Sequence, residues 1–174
     1  MIHDVIRRGT LVVCLFGSAL ALGACGDDGG NNDDTMNETE PTGCSSQMFE
    51  KYGADAFVAV RDSIVAKALA APTDRLGDSF ASFAGSASEE RIQAFQDHLA
   101  AFLVMVYGGP NHYDGPTMQE AHAGLGITSD QYDYFITEVV VPALSENGVP
   151  SDDISNCFAP PVTDAAFKAS IVGR

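Results

Sequence analysis

The chain has 174 residues, a formal net charge of -15 and 45% hydrophobic residues, with no tryptophan. That length supplies one domain with a core of its own. So negative a charge excludes nucleic acid and anionic head groups as electrostatic partners.

The chain opens with Arg7 and Arg8, then an apolar run from Leu11 to Leu22, then Gly23, Ala24 and Cys25. The run is too short to span a bilayer as a mature helix. A basic start, an apolar middle and a small-residue cut site predict a secretory signal over residues 1–24. The ending LALGAC resembles the lipobox of bacterial lipoproteins, which implies that Cys25 becomes the lipidated N-terminus. An ordinary signal peptide with an incidental cysteine is the alternative. Residues 25–46 are acidic and rich in Gly and Asn, and read as a disordered tether. The expected address is the bacterial envelope, lipid-anchored at the outer membrane or the periplasmic face of a Gram-negative cell. Cys14 leaves with the signal and Cys25 is acylated, so Cys44 and Cys157 remain. An even pair in an oxidising compartment predicts a disulfide, against two unpaired thiols.

Residues 47–174 predict an all-α domain. Phe57, Val60, Ile64 and Leu69 form a helical stripe within Ala54 to Ala71, stopped by Pro72. DSFASFAG follows as a short Phe-rich piece. Ser88, Glu89 and Glu90 open a helix that carries Ile92, Phe95, Leu99, Phe102 and Val106 at helical spacing. Gly108-Gly109-Pro110 ends it. Thr128 to Asp130 cap a helix that runs to about Glu146 and includes the β-branched VVVP run. Ser151 to Asp153 cap a last helix, which Pro160-Pro161 is expected to break before a short piece at Thr163 to Ile171.

No nucleophile elbow, P-loop, HExxH or dinucleotide fingerprint is present, and no clustered Cys/His pair supports zinc. By composition alone, His98 and His122 are ordinary histidines on or beside apolar segments. The segment YGGPNHYDGPTMQEAHAGLGI, Tyr107 to Ile127, adds more. With MFEKYGADAF at Met48 to Phe57 and FASFAG at Phe80 to Gly85, it resembles the group I truncated globins, the bacterial-like globin family. The resemblance covers roughly Met48 to Ile154. It implies a truncated globin fold, a two-over-two helical sandwich around haem b, with His122 as the proximal iron ligand. Phe83 is the expected haem-stacking phenylalanine and Phe80 its reserve. Val65, Phe95, Leu99, Phe102 and Met118 are expected to line the cofactor.

Two departures from the family pattern bear on function. The opening segment usually carries a Gly-Gly pair, and only Gly53 stands here. The distal positions that many relatives fill with tyrosine and polar residues are Val65, Phe95 and Leu99. His98 is the remaining polar candidate, aligned with a histidine that binds iron in some cyanobacterial relatives; its helical phase beside Leu99 and Phe102 favours ligation slightly over an outward, solvated His98. The resemblance implies an iron that takes a diatomic gas, O2, NO or CO. A redox or NO-detoxifying role with an unidentified redox partner is one extension. The alternative is a haem-free globin-like lipoprotein acting as a structural or partner-binding module. Enzyme status stays open.

Overall fold

A computed structural model describes residues 43–174. The signal sequence, Cys25 and most of the expected tether lie outside the described residues. The domain includes a 3-10 turn over Gly43–Gln47, ahead of the expected boundary at residue 47. The reason is a buried hydroxyl: Ser45 Oγ donates to the Cys157 carbonyl at 2.6 Å. Beside it, Cys44 and Cys157 are joined by a disulfide that closes a separation of 113 residues.

Helix α1 (Met48–Ala70) follows, then α2 (Thr73–Leu76), α3 (Asp78–Ser86), α4 (Glu89–Val106) and α5 (Met118–Ala121). The rest are α6 (Ser129–Tyr134), α7 (Val141–Glu146), α8 (Ser151–Asp153), α9 (Ala159–Thr163) and α10 (Ala165–Ala169). Among the described residues there is no strand.

The core lies where α1 packs on α4 and α7. Phe57, Val60, Ile64 and Ala68 of α1 are buried there with Leu103, Tyr107, Val139 and Leu144. These four α1 positions are spaced three, four and four apart, the period of one helix face. Leu69 does not belong to that face and is exposed at 46%. Ala68, one residue earlier, takes the expected place. Gly53 supplies a kink inside α1 at φ 77°. It is the only non-helical residue within that helix, so Ala54 in place of a second glycine strains nothing.

Two segments widen to π-helix, Phe135–Val140 and Ile154–Phe158, and each precedes proline. Pro142, Pro160 and Pro161 have no N–H to give the carbonyl four residues back. The chain therefore does not break at Pro160-Pro161. It widens before them and seats both prolines in the first turn of α9. Cys157, the residue four before Pro161, has its carbonyl satisfied by Ser45 instead. The break comes later, at Asp164, whose backbone is extended and whose carboxylate caps α10. Ser151 does not cap α8; Pro150 occupies the N-cap position without a side-chain bond.

Candidate haem pocket

Helix α4 forms one wall. Its start is fixed by Ser88, whose hydroxyl accepts from the Arg91 amide. Glu89 and Glu90 in the first turn favour the helix dipole. The Ser88 hydrogen bond holds the Glu90 carboxyl below its ordinary pKa. Phe95, Leu99 and Phe102 recur at helical spacing on this wall. Phe102 is buried, while Phe95 and Leu99 are half-buried. Helix α3 approaches with Phe80 and Phe83, also half-buried. Phe83 meets Phe95 edge-on, with ring centroids 5.5 Å apart, and lies 6.3 Å from Phe80. Val65 of α1 is buried but stands outside the main core cluster.

The end of α4 is set by close packing. Tyr107 is buried, and its hydroxyl donates to the Phe158 carbonyl at 2.6 Å. Burial pushes this phenol well above its ordinary pKa. The Phe49 amide donates to the Tyr107 carbonyl at 2.9 Å. A Cβ on Gly108 would stand 1.8 Å from the Ser46 carbonyl oxygen. A Cβ on Gly109 would stand 2.4 Å from Val104 Cγ1 and 2.7 Å from the Phe49 ring. Only glycine lets the Gly43–Gln47 turn and the start of α1 approach this closely while the chain leaves α4.

The chain then turns through His112, which is exposed, and Tyr113, whose hydroxyl donates to the Pro116 carbonyl. Helix α5 is short but well capped. Thr117 and Glu120 make a capping box, each side chain bonding the other's backbone N–H. The Thr117 amide holds the Glu120 carboxyl below its ordinary pKa. Met118 is half-buried. His122 is the C-cap of α5, and its Nδ1 lies 2.7 Å from the Met118 carbonyl. A carbonyl oxygen can only accept, so Nδ1 carries the proton. In the neutral ring this tautomer leaves Nε2 with a lone pair, the form in which an imidazole binds a metal.

His98 stands apart from the phenylalanines of its own wall. Its side chain is 47% exposed, and Nε2 lies 3.9 Å from Asp114 Oδ1. Its ring meets Tyr113 edge-on at 6.1 Å. The structure thus joins Phe80, Phe83 and Phe95 into one ring cluster and turns His98 to the rim. His122 is held by its own helix and enters no ring contact among the described residues. Sequence reasoning missed Phe167 of α10, which stacks on Phe102 at 5.9 Å. A five-residue helix behind a proline pair gives no stripe by which to find it.

Half-buried aromatic and aliphatic side chains, a half-buried thioether and an imidazole are the side-chain types a large, flat, apolar ring with a metal at its centre needs, whereas a cavity among the described residues is lined by Tyr52, Phe57, Val60, Ile64, Leu103 and Tyr107 and by none of the expected haem residues. Among the described residues no group of His, Cys, Asp and Glu could hold a bare metal ion.

Comparison with known proteins points the same way. The family model for bacterial-like globins matches residues 47–169. The chain is 47% identical over 53 residues to a group 1 truncated hemoglobin of Tetrahymena thermophila, covering 30% of this chain and 42% of that protein. It is 38% identical over 66 residues to the group 1 truncated hemoglobin of Synechocystis sp., covering 36% of this chain and 52% of that protein. The matched stretch therefore spans about half the length of these curated relatives.

Proposed function

The chain belongs to the bacterial-like globin family and has its all-α truncated globin fold, and we propose that it holds haem b through His122 and takes up a diatomic gas. The observation that carries this reading is the His122 ring: Nδ1 is committed to the Met118 carbonyl, so Nε2 is the free donor. Phe80, Phe83, Phe95, Leu99, Phe102, Val65 and Met118 would cover the ring and exclude water. The haem would supply the iron that binds O2, NO or CO.

The apolar character of Val65, Phe95 and Leu99 provides no hydrogen-bond donor for a polar ligand. That favours a gas whose binding depends on the iron alone over one that needs distal stabilisation. A redox partner is an extension of this reading, not a requirement of it.

The test is reconstitution with haem. The wild type should take up one equivalent and show a Soret band. His122→Ala should fail to retain it while keeping its helical circular dichroism. Equal retention by the variant ends the assignment and favours the haem-free module.

Anchoring in a bacterial envelope is part of the same reading and rests on LALGAC. Mass spectrometry of the exported protein should find a lipidated N-terminus at Cys25. An unmodified N-terminus at another residue would refute it.

A further inference from the structure

The segment that carries His122 is short and largely exposed. Helix α5 is four residues long and buries none of them. Residues 123–126 after it are exposed, and Gly124 and Gly126 both take positive φ. Two backbone hydrogen bonds carry this loop onto a distant part of the chain. The Gly126 amide donates to the Arg174 main-chain oxygen at 2.8 Å, and the Gly173 amide donates to the Ile127 carbonyl at 2.9 Å.

The residues that receive the loop are themselves well held. Asp164 Oδ1 accepts from the amides of Ala166 and Phe167, which starts α10. Lys168 pairs with Asp133 of α6 at 2.6 Å. Ile171 is buried. The Arg174 guanidinium folds back and donates twice to the Ala169 carbonyl, at 2.9 and 3.1 Å. Within the same segment, Phe167 stacks on Phe102 with an interplanar angle of 24°. Residues 164–174 therefore touch both α4, through Phe102, and the loop that follows His122, through Gly126 and Ile127.

We propose that residues 164–174 form a strap that sets the position of His122 relative to α4, with Phe167 and Gly173 as positioning residues. The proposal deepens the haem reading and rests on it for its functional meaning. Its physical logic is that of outer-shell support. An iron ligand on a short, exposed helix needs its loop fixed from outside, because the imidazole follows any rotation of the backbone that bears it. Gly173 matters twice. Its amide is one of the two bonds, and its φ of 74° is one that proline cannot adopt.

The experiment uses the full chain as wild type, Phe167→Ala and Gly173→Pro, with Gly173→Ala as a milder third variant. The first arm needs no haem. Amide hydrogen exchange should show the Gly126 amide losing protection by about tenfold in Gly173→Pro, with α1 and α7 unchanged. The second arm uses haem-loaded protein. The iron–histidine stretching band should shift, and haem transfer to an acceptor globin should speed up by about tenfold, in both Phe167→Ala and Gly173→Pro. Gly173→Ala, which keeps the amide, should lie between wild type and Gly173→Pro.

An unchanged Gly126 amide overturns the strap whether or not haem binds. Equal loss of protection throughout the domain also overturns it, since it would mean general destabilisation. A normal haem-loaded wild type whose variants keep the same stretching band and transfer rate overturns the positioning role. A wild type that takes up no haem, with Gly126 exposed as expected, ends the haem reading and leaves the strap standing as the device that holds the 123–127 loop.

Discussion

Replacing Gly108 with alanine should be among the most damaging single-methyl additions this domain can receive. The methyl would stand 1.8 Å from the Ser46 carbonyl oxygen and 2.5 Å from its carbon, both backbone atoms that no rotamer change can move. The residue also sits at φ 86°, where an L-side chain costs about 1–2 kcal/mol. Separating the two backbones far enough to relieve the contact would stretch the 2.9 Å bond from the Phe49 amide to the Tyr107 carbonyl. Losing that bond costs about 0.5–1.5 kcal/mol. Accommodating an extra methyl in a packed contact adds about 1–3 kcal/mol. Together these give a loss of about 3–6 kcal/mol. Urea unfolding of the disulfide-intact protein, followed by circular dichroism, should show the midpoint falling with the slope unchanged. The matched control is Gly85→Ala in α3. Gly85 has no atom within 4 Å of a Cβ and no positive φ, so alanine there should be neutral or stabilising by up to about 1 kcal/mol. A Gly108→Ala protein within 1 kcal/mol of wild type, on the order of ordinary surface changes, would refute the close-approach argument.

Removing the Cys44–Cys157 bridge by a double serine substitution should cost about 4–5 kcal/mol on the chain-entropy account for a loop of roughly a hundred residues, read by the same unfolding curves under non-reducing conditions; a loss under 1 kcal/mol would mean that the Ser45 hydrogen bond and the packing of Met48 already fix the entry of the chain. Alkaline titration should expose the tyrosines. Burial first, then the hydrogen bond to Asp153, pushes Tyr52 up to about 12, and burial raises Tyr107 and Tyr132 further. A folded pKa above the unfolded value of 10 means stability that is complete below pH 10 and is lost as pH rises from 10 towards 12 and beyond. Stability that stays flat over that window would contradict the burial of these phenols.

The parts of the fold visible in the sequence are those written in local chemistry. Ser88 before two glutamates and Thr128 three residues before Gln131 start α4 and α6 where their capping pattern says. The spacing of Phe57, Val60 and Ile64 locates the buried face of α1. His122 stands out in the sequence because its motif spans some twenty residues, not because a lone histidine signals anything. What escaped depends on partners distant in sequence. Leu69 and Ala68 are neighbours and both apolar, and the phase of the packed face buries the smaller of the two. The proline pair reads as a helix breaker, yet Ser45, 112 residues from Cys157, supplies the donor that the Cys157 carbonyl would otherwise lack. The sequence predicts the short piece after Pro160-Pro161 but not the bonds of the tail to Gly126 and Ile127, since backbone hydrogen bonds leave no mark on side-chain identity.

His98 is where sequence and geometry pull hardest against each other. Its register on α4 places it next to Leu99 and one turn from Phe102, beside the apolar wall. The described geometry nonetheless commits it outward. Its imidazole is nearly half exposed, its Nε2 faces Asp114, and Tyr113 lies edge-on against it while also contacting Phe102. Swinging inward would give up water, a carboxylate and a ring contact for an apolar surround of Val65, Phe95 and Leu99. An imidazole loses solvation on such a path, and the Tyr113 ring it would leave is itself fixed by a hydroxyl bond to the Pro116 carbonyl. The sixth iron position should therefore be free of protein nitrogen. In haem-loaded protein, the wild type should give a high-spin ferric spectrum by optical absorption and electron paramagnetic resonance, and His98→Leu should leave it unchanged. A low-spin, bis-histidine spectrum in the wild type that turns high-spin in His98→Leu would overturn this placement. It would show that iron coordination outweighs the rim contacts, and it would shift the functional reading from gas uptake towards electron transfer.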